Sequence, residues 1–74
     1  MSGELRELVS EHRLAMEDEG YARPADEALW SAVDRAGSAA EVAVAVAGHR
    51  AAIGVYPLSV DEELWSQLDM EQRQ

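Results

Sequence analysis

DEALWSAVD at residues 26–34 and DEELWSQLD at residues 61–69 agree at six of nine positions, 35 residues apart. Upstream the likeness continues between ELRELVSEHRLAM (4–16) and EVAVAVAGHRAAI (41–53), now at an offset of 37 residues. His12 and Arg13 stand against His49 and Arg50, Leu5 faces Val42, and Met16 faces Ile53. Tyr21 and Tyr56 return to the offset of 35, so every Trp, Tyr and His in the chain has a counterpart. Such register among scarce residue types indicates tandem duplication of one unit. The repeat also decides how the ambiguous part of the chain is read. Val42, Val44 and Val46 alternate with alanine as a half-buried strand would. Their counterparts in 4–16 have a helical period, however, and alanine favours helix over strand.

Each unit reads as helix, turn, helix. Leu5, Leu8, Val9, His12 and Met16 fall on one face of the first helix. Gly20 stops it, and Pro24 opens a second helix whose stripe is Ala25, Leu29, Val33 and Ala36, with Gly37 at its end. Ser38 with Glu41 forms a capping box for helix three, and Gly54 stops that helix. Ser59 with Glu62 forms the box for helix four, with Leu64 and Leu68 facing inward. The expected fold is all-α: four short helices in two tandem hairpins, packed about an approximate two-fold axis into a compact bundle. It forms a single domain over 1–74, with unit one at 2–37 and unit two at 38–74. A tetratricopeptide array has a similar period, but its Trp, Gly, Tyr and Pro spacing is absent.

Composition narrows function. Fifteen acidic against six basic residues give a formal net charge of −9, which repels nucleic-acid phosphates and anionic membranes. Direct nucleic-acid binding and membrane binding are therefore not expected. The start of the chain lacks the basic and apolar regions of a secretory signal, and the longest apolar run falls short of a bilayer span, so a cytoplasmic location is expected. Arginine supplies every basic residue, and Lys, Asn, Thr, Phe and Cys are absent. That pattern points to GC-rich coding, bacterial or phage. Without cysteine there are no disulfides or thiolate metal sites, and a domain this small gains from self-association or a partner.

His12 and His49 are the first candidates for chemistry. They read as structural histidines, partly buried and held by the facing helix: Ser31 or Asp34 in unit one, Ser66 or Asp69 in unit two. No second ligand stands four residues from either, as a helical zinc motif needs. Glu17, Asp18 and Glu19 crowd a helix C-terminus, where the macrodipole disfavours them, and could face a basic partner. Asp61, Glu62 and Glu63 open a helix, where capping accounts for them. Trp30 and Trp65 lie at the flank of their stripes, as apolar anchors or partner-binding hot spots. No nucleophile elbow, Gly-rich phosphate loop or Ser/His pair on one face occurs, so no enzyme activity and no cofactor are expected. A helix-turn-helix reading of 41–54 would run its recognition helix into Pro57.

The two units differ most on helix three. Arg6, Glu7, Ser10 and Glu11 of helix one become Ala43, Val44, Ala47 and Gly48. Ala40, Val44, Ala47 and Ala51 make a ridge of small residues on which another helix can approach closely. Helix three is therefore either the centre of the monomer or an interface. The expected function is a non-enzymatic protein–protein interaction module, in the manner of an adaptor, antitoxin or phage regulator, working as a homodimer or on a protein partner. The alternatives are an acidic nucleic-acid mimic and a His/carboxylate metal-binding protein.

Overall fold

A computed structural model describes residues 2–72. Four helices follow in order: α1 (Ser2–Asp18), α2 (Pro24–Arg35), α3 (Ala39–Ile53) and α4 (Ser59–Gln72), with no strand among the described residues. No helix among the described residues is long and apolar enough to cross a membrane. Gly20 and Gly54 terminate α1 and α3 at φ of 70° and 69°, values a side chain with a Cβ rarely adopts. Pro24 takes the first helical position of α2, where its missing N–H costs nothing.

The valine alternation in α3 resolves into a helical stripe. Val42, Val46 and His49 turn inward at spacings of four and three, while Val44 points out. In α1 the inward residues are Leu5, Val9, His12 and Met16, with Leu8 half-buried. Leu29, Trp30 and Val33 from α2, and Leu64, Trp65 and Leu68 from α4, complete the core. The helices form the two expected hairpins, yet α1 packs most extensively on α4, and α2 on α3. The hairpins thus interlock, and α2 and α4 lie on opposite sides of the α1/α3 pair.

Two local expectations need correction. Ser59 does not cap α4: it is already helical, and the Leu58 N–H at the preceding position donates to Asp61 Oδ2 at 2.8 Å. An aspartate three residues into the helix is short enough to reach back, and α2 repeats the device with Arg23 N–H donating to Asp26 Oδ2 at 2.9 Å. At α3, Ser38 Oγ does accept from Glu41 N, but the Glu41 carboxylate reaches back to Gly37 N instead of Ser38 N. Arg6 reaches across to α2. Its guanidinium donates to Val33 O and Ala36 O, closing the C-terminus of α2, where a cation suits the dipole.

Candidate functional site

The stripes of all four helices converge on polar residues rather than on an unbroken apolar core. His12 and Asp26 and Asp61 are fully buried, and His49 nearly so at 3% exposure. His12 Nε2 lies 2.7 Å from Asp61 Oδ1, and His49 Nε2 lies 2.7 Å from Asp26 Oδ1. On the far side of each ring an indole donates: Trp30 Nε1–H to His12 Nδ1 at 3.1 Å, Trp65 Nε1–H to His49 Nδ1 at 3.2 Å. The two imidazoles meet edge to face, with centroids 5.2 Å apart.

An indole N–H can only donate, so each Nδ1 must present its lone pair and each Nε2 must carry the hydrogen given to an aspartate. Both histidines are thereby held as the neutral Nε2–H tautomer. Arg23 supplies the positive charge. Its Nε donates to Asp26 at 2.8 Å, and its Nη2 donates to Asp26 at 3.0 Å and to both oxygens of Asp61 at 2.8 Å. Every buried side-chain polar atom among the described residues has a partner. Two carboxylates, one guanidinium and two neutral imidazoles leave this network with one net negative charge.

The network is nearly symmetric in the two hairpins, and each bond crosses in a defined sense. Tryptophan binds the histidine of its own hairpin, and aspartate binds the histidine of the other. Arg23 breaks the symmetry, because its counterpart 35 residues on is Leu58. One cation therefore serves both carboxylates. Burial alone pushes the Asp26 carboxyl up, but hydrogen bonds from Arg23 and His49 outweigh it and bring the group down to about 2. Asp61 is likewise pushed up by burial and brought below its ordinary value by bonds from Leu58 N–H, Arg23 and His12. Desolvation works against Arg23, yet the two aspartates raise it above the ordinary arginine value.

The expected partners of the histidines are replaced. Asp34 and Asp69 instead pair with the arginines that follow the histidines: Arg13 with Asp34 at 3.6 Å, Arg50 with Asp69 at 2.8 Å. Those arginines lie over the outer faces of Trp30 and Trp65, at 5.6 and 5.7 Å from the ring centroids. Both indoles are only 7% exposed, so their place is within the framework and their N–H groups are spent there. Asp61, read from sequence as a capping carboxylate, is both a cap and a member of the buried network.

Four ligand-type atoms, from His12, Asp26, His49 and Asp61, lie within 4.8 Å of one another, close enough to suggest a divalent metal. The donor chemistry does not fit one. A neutral imidazole that ligates through Nε2 carries its hydrogen on Nδ1 and donates it outward. Here each Nδ1 faces an indole N–H, so ligation would set two donors against each other in both halves. Arg23 also already bonds the carboxylate oxygens that a cation would take.

No protein-family model, curated protein or solved structure matches this chain.

The indoles give a direct test of the network. Trp30→Phe keeps an aromatic ring but leaves His12 Nδ1 buried without a donor, and should cost about 1–3 kcal/mol in urea unfolding. Trp65→Phe should cost a similar amount. The double variant should depart from additivity, because both rings belong to one connected set of bonds.

Helix three packs against all three other helices and still leaves one face open to solvent. All four residues of the expected ridge are exposed, Ala40, Ala47 and Ala51 with Val44 at 72%, while the neighbouring Ala43 is half-buried. Glu17, Asp18 and Glu19 are exposed at the end of α1, where Glu17 makes one loose pair with Arg13 at 3.8 Å.

Proposed function

We propose that this chain is a small non-enzymatic interaction module that binds a protein, or a second copy of itself, through the outward face of α3. The observation that carries the reading is the exposure of Val44 within a face of Ala40, Ala47 and Ala51, a surface that contributes little to the monomer's own core. Gly48 adds to it. A Cβ built there meets nothing within 4 Å, so the fold does not require glycine at that point. A mid-helix glycine costs roughly 1 kcal/mol relative to alanine, and close approach of another backbone is a reason to keep it.

Charge supports the same face. The chain carries −9, but α3 holds one glutamate and one arginine, so a partner reaches it without the repulsion that the acid-rich α1 and α4 would impose. The His/Asp/Arg network supports binding over catalysis, because its histidines and aspartates are buried and, with the partly exposed Arg23, are consumed by one another. A cytoplasmic bacterial or phage regulator, adaptor or antitoxin is the class of protein this description fits.

Val44→Glu tests the reading. The side chain is exposed, so the variant should melt within about 0.5 kcal/mol of the wild type. It should also lose any self-association that sedimentation velocity detects for the wild type, or any partner that the wild type retains in a pull-down. A variant that keeps every complex of the wild type would overturn the reading.

A further inference from the structure

The connectors at 19–23 and 54–58 lie at one end of the molecule, and four of the seven exposed large apolar side chains among the described residues are found there: Tyr21, Val55, Tyr56 and Leu58. Tyr56 is 83% exposed. Two shallow grooves meet at this end and share Tyr21 and Leu58. One runs between the end of α1 and the start of α4, floored by Met16 and Val60 with Glu19 on its wall. The other runs across Pro24, Ile53 and Tyr56.

Folding does not call for large apolar groups here. Turns between helices are ordinarily made by small and polar residues, and Tyr and Leu side chains left in water gain nothing from burial. Tyrosine surrounded by a polar rim is instead typical of binding surfaces. Most of the exposed charges around this end are acidic. Glu17, Asp18 and Glu19 are exposed at the close of α1, against the helix dipole, and Glu62 and Glu63 are exposed in the first turn of α4. The single cation in the second groove, Arg23, is consumed by Asp26 and Asp61, and the network behind it adds a net negative charge. The end therefore presents apolar grooves inside a negative field.

We propose that this end docks a lysine- or arginine-bearing segment of a partner protein, whose apolar side chain enters the groove beside Leu58 while its basic groups meet the carboxylates of α1 and α4. The site is separate from the α3 face.

The test titrates the full chain with a synthetic peptide of Leu-Lys-Lys-Leu repeats, followed by amide chemical shifts and by calorimetry. Two controls replace Leu by Ala or Lys by Glu. Shifts should centre on 19–23 and 54–60. Tyr56→Ser with Leu58→Ser should weaken binding about tenfold or more without lowering the melting temperature, as loss of an apolar anchor does. Glu17→Gln with Asp18→Asn and Glu19→Gln should flatten the dependence of affinity on salt. Val44→Glu should leave this binding unchanged, which separates it from the α3 interface. Equal binding of the Ala peptide, or shifts spread along the acidic faces of α1 and α4 and indifferent to Tyr56→Ser, would reduce the interaction to bulk charge attraction and overturn the proposal. So would shifts centred on α3.

Discussion

Arg23→Met will come close to unfolding the protein. The substitution removes the only cation among the described residues from two fully buried aspartates, and breaking a buried ion pair by deleting one partner typically costs about 3–5 kcal/mol. A chain of this length has a total stability of roughly 4–11 kcal/mol on the usual per-residue range, so the loss is a large share of the whole. Urea unfolding followed by circular dichroism should show a folded baseline that is short or missing. Leu58→Met, at the equivalent place in the other hairpin, should change stability by no more than about 0.5 kcal/mol, because that side chain is exposed and neutral. Equal stability of Arg23→Met and the wild type would mean that the carboxylates do not depend on the guanidinium.

Acid should unfold the protein over a defined window. Asp26 is held at about 2 in the folded chain against an ordinary 3.8, and Asp61 is shifted in the same direction. A carboxyl with a depressed folded value stabilises the fold above its ordinary value and loses that contribution as pH falls toward the folded one. The aspartate contribution should therefore be fully present above about pH 5 and be lost steeply between about pH 4 and pH 2, where protonation removes the acceptors used by Arg23 and both histidines. Asp26→Asn should be less stable at neutral pH and lose stability less steeply through that window. A wild-type protein whose unfolding free energy is the same at pH 5 and pH 2.5 would contradict the account.

The likeness of 26–34 to 61–69, together with the punctuation by Gly20, Pro24 and Gly54, made the four helices legible in the sequence. It also brought out the paired histidines and tryptophans. The destination of the histidine bonds was not legible. His12 bonds Asp61 across 49 residues, and His49 bonds Asp26 across 23, contacts set by how the hairpins interlock rather than by any local spacing. One signal did lie in the chain. Asp26 stands three, four and seven residues before Leu29, Trp30 and Val33, and Asp61 stands likewise before Leu64, Trp65 and Leu68. An aspartate on the apolar stripe of a helix must find a partner inside. Nearness to the helix start offered capping as a sufficient reason for Asp61, and capping is only half of what Asp61 and Asp26 do. The charge imbalance hid Arg23 in the same way, since one arginine among fifteen carboxylates gives no hint of which two it holds.

The sharing of one guanidinium between hairpins bears on how the chain can be made. While α1, α2 and α3 leave the ribosome, His12 has its indole but no carboxylate, and Arg23 has one acid where it will later hold two. Either hairpin by itself would bury a charged or polar group that only the other can satisfy. Hairpin two is the worse placed, since Asp61 brings no cation from its own half. Folding is thus expected to wait until α4 is available. A chain interrupted before Asp61 is left as a substrate for proteolysis rather than as a half-built bundle.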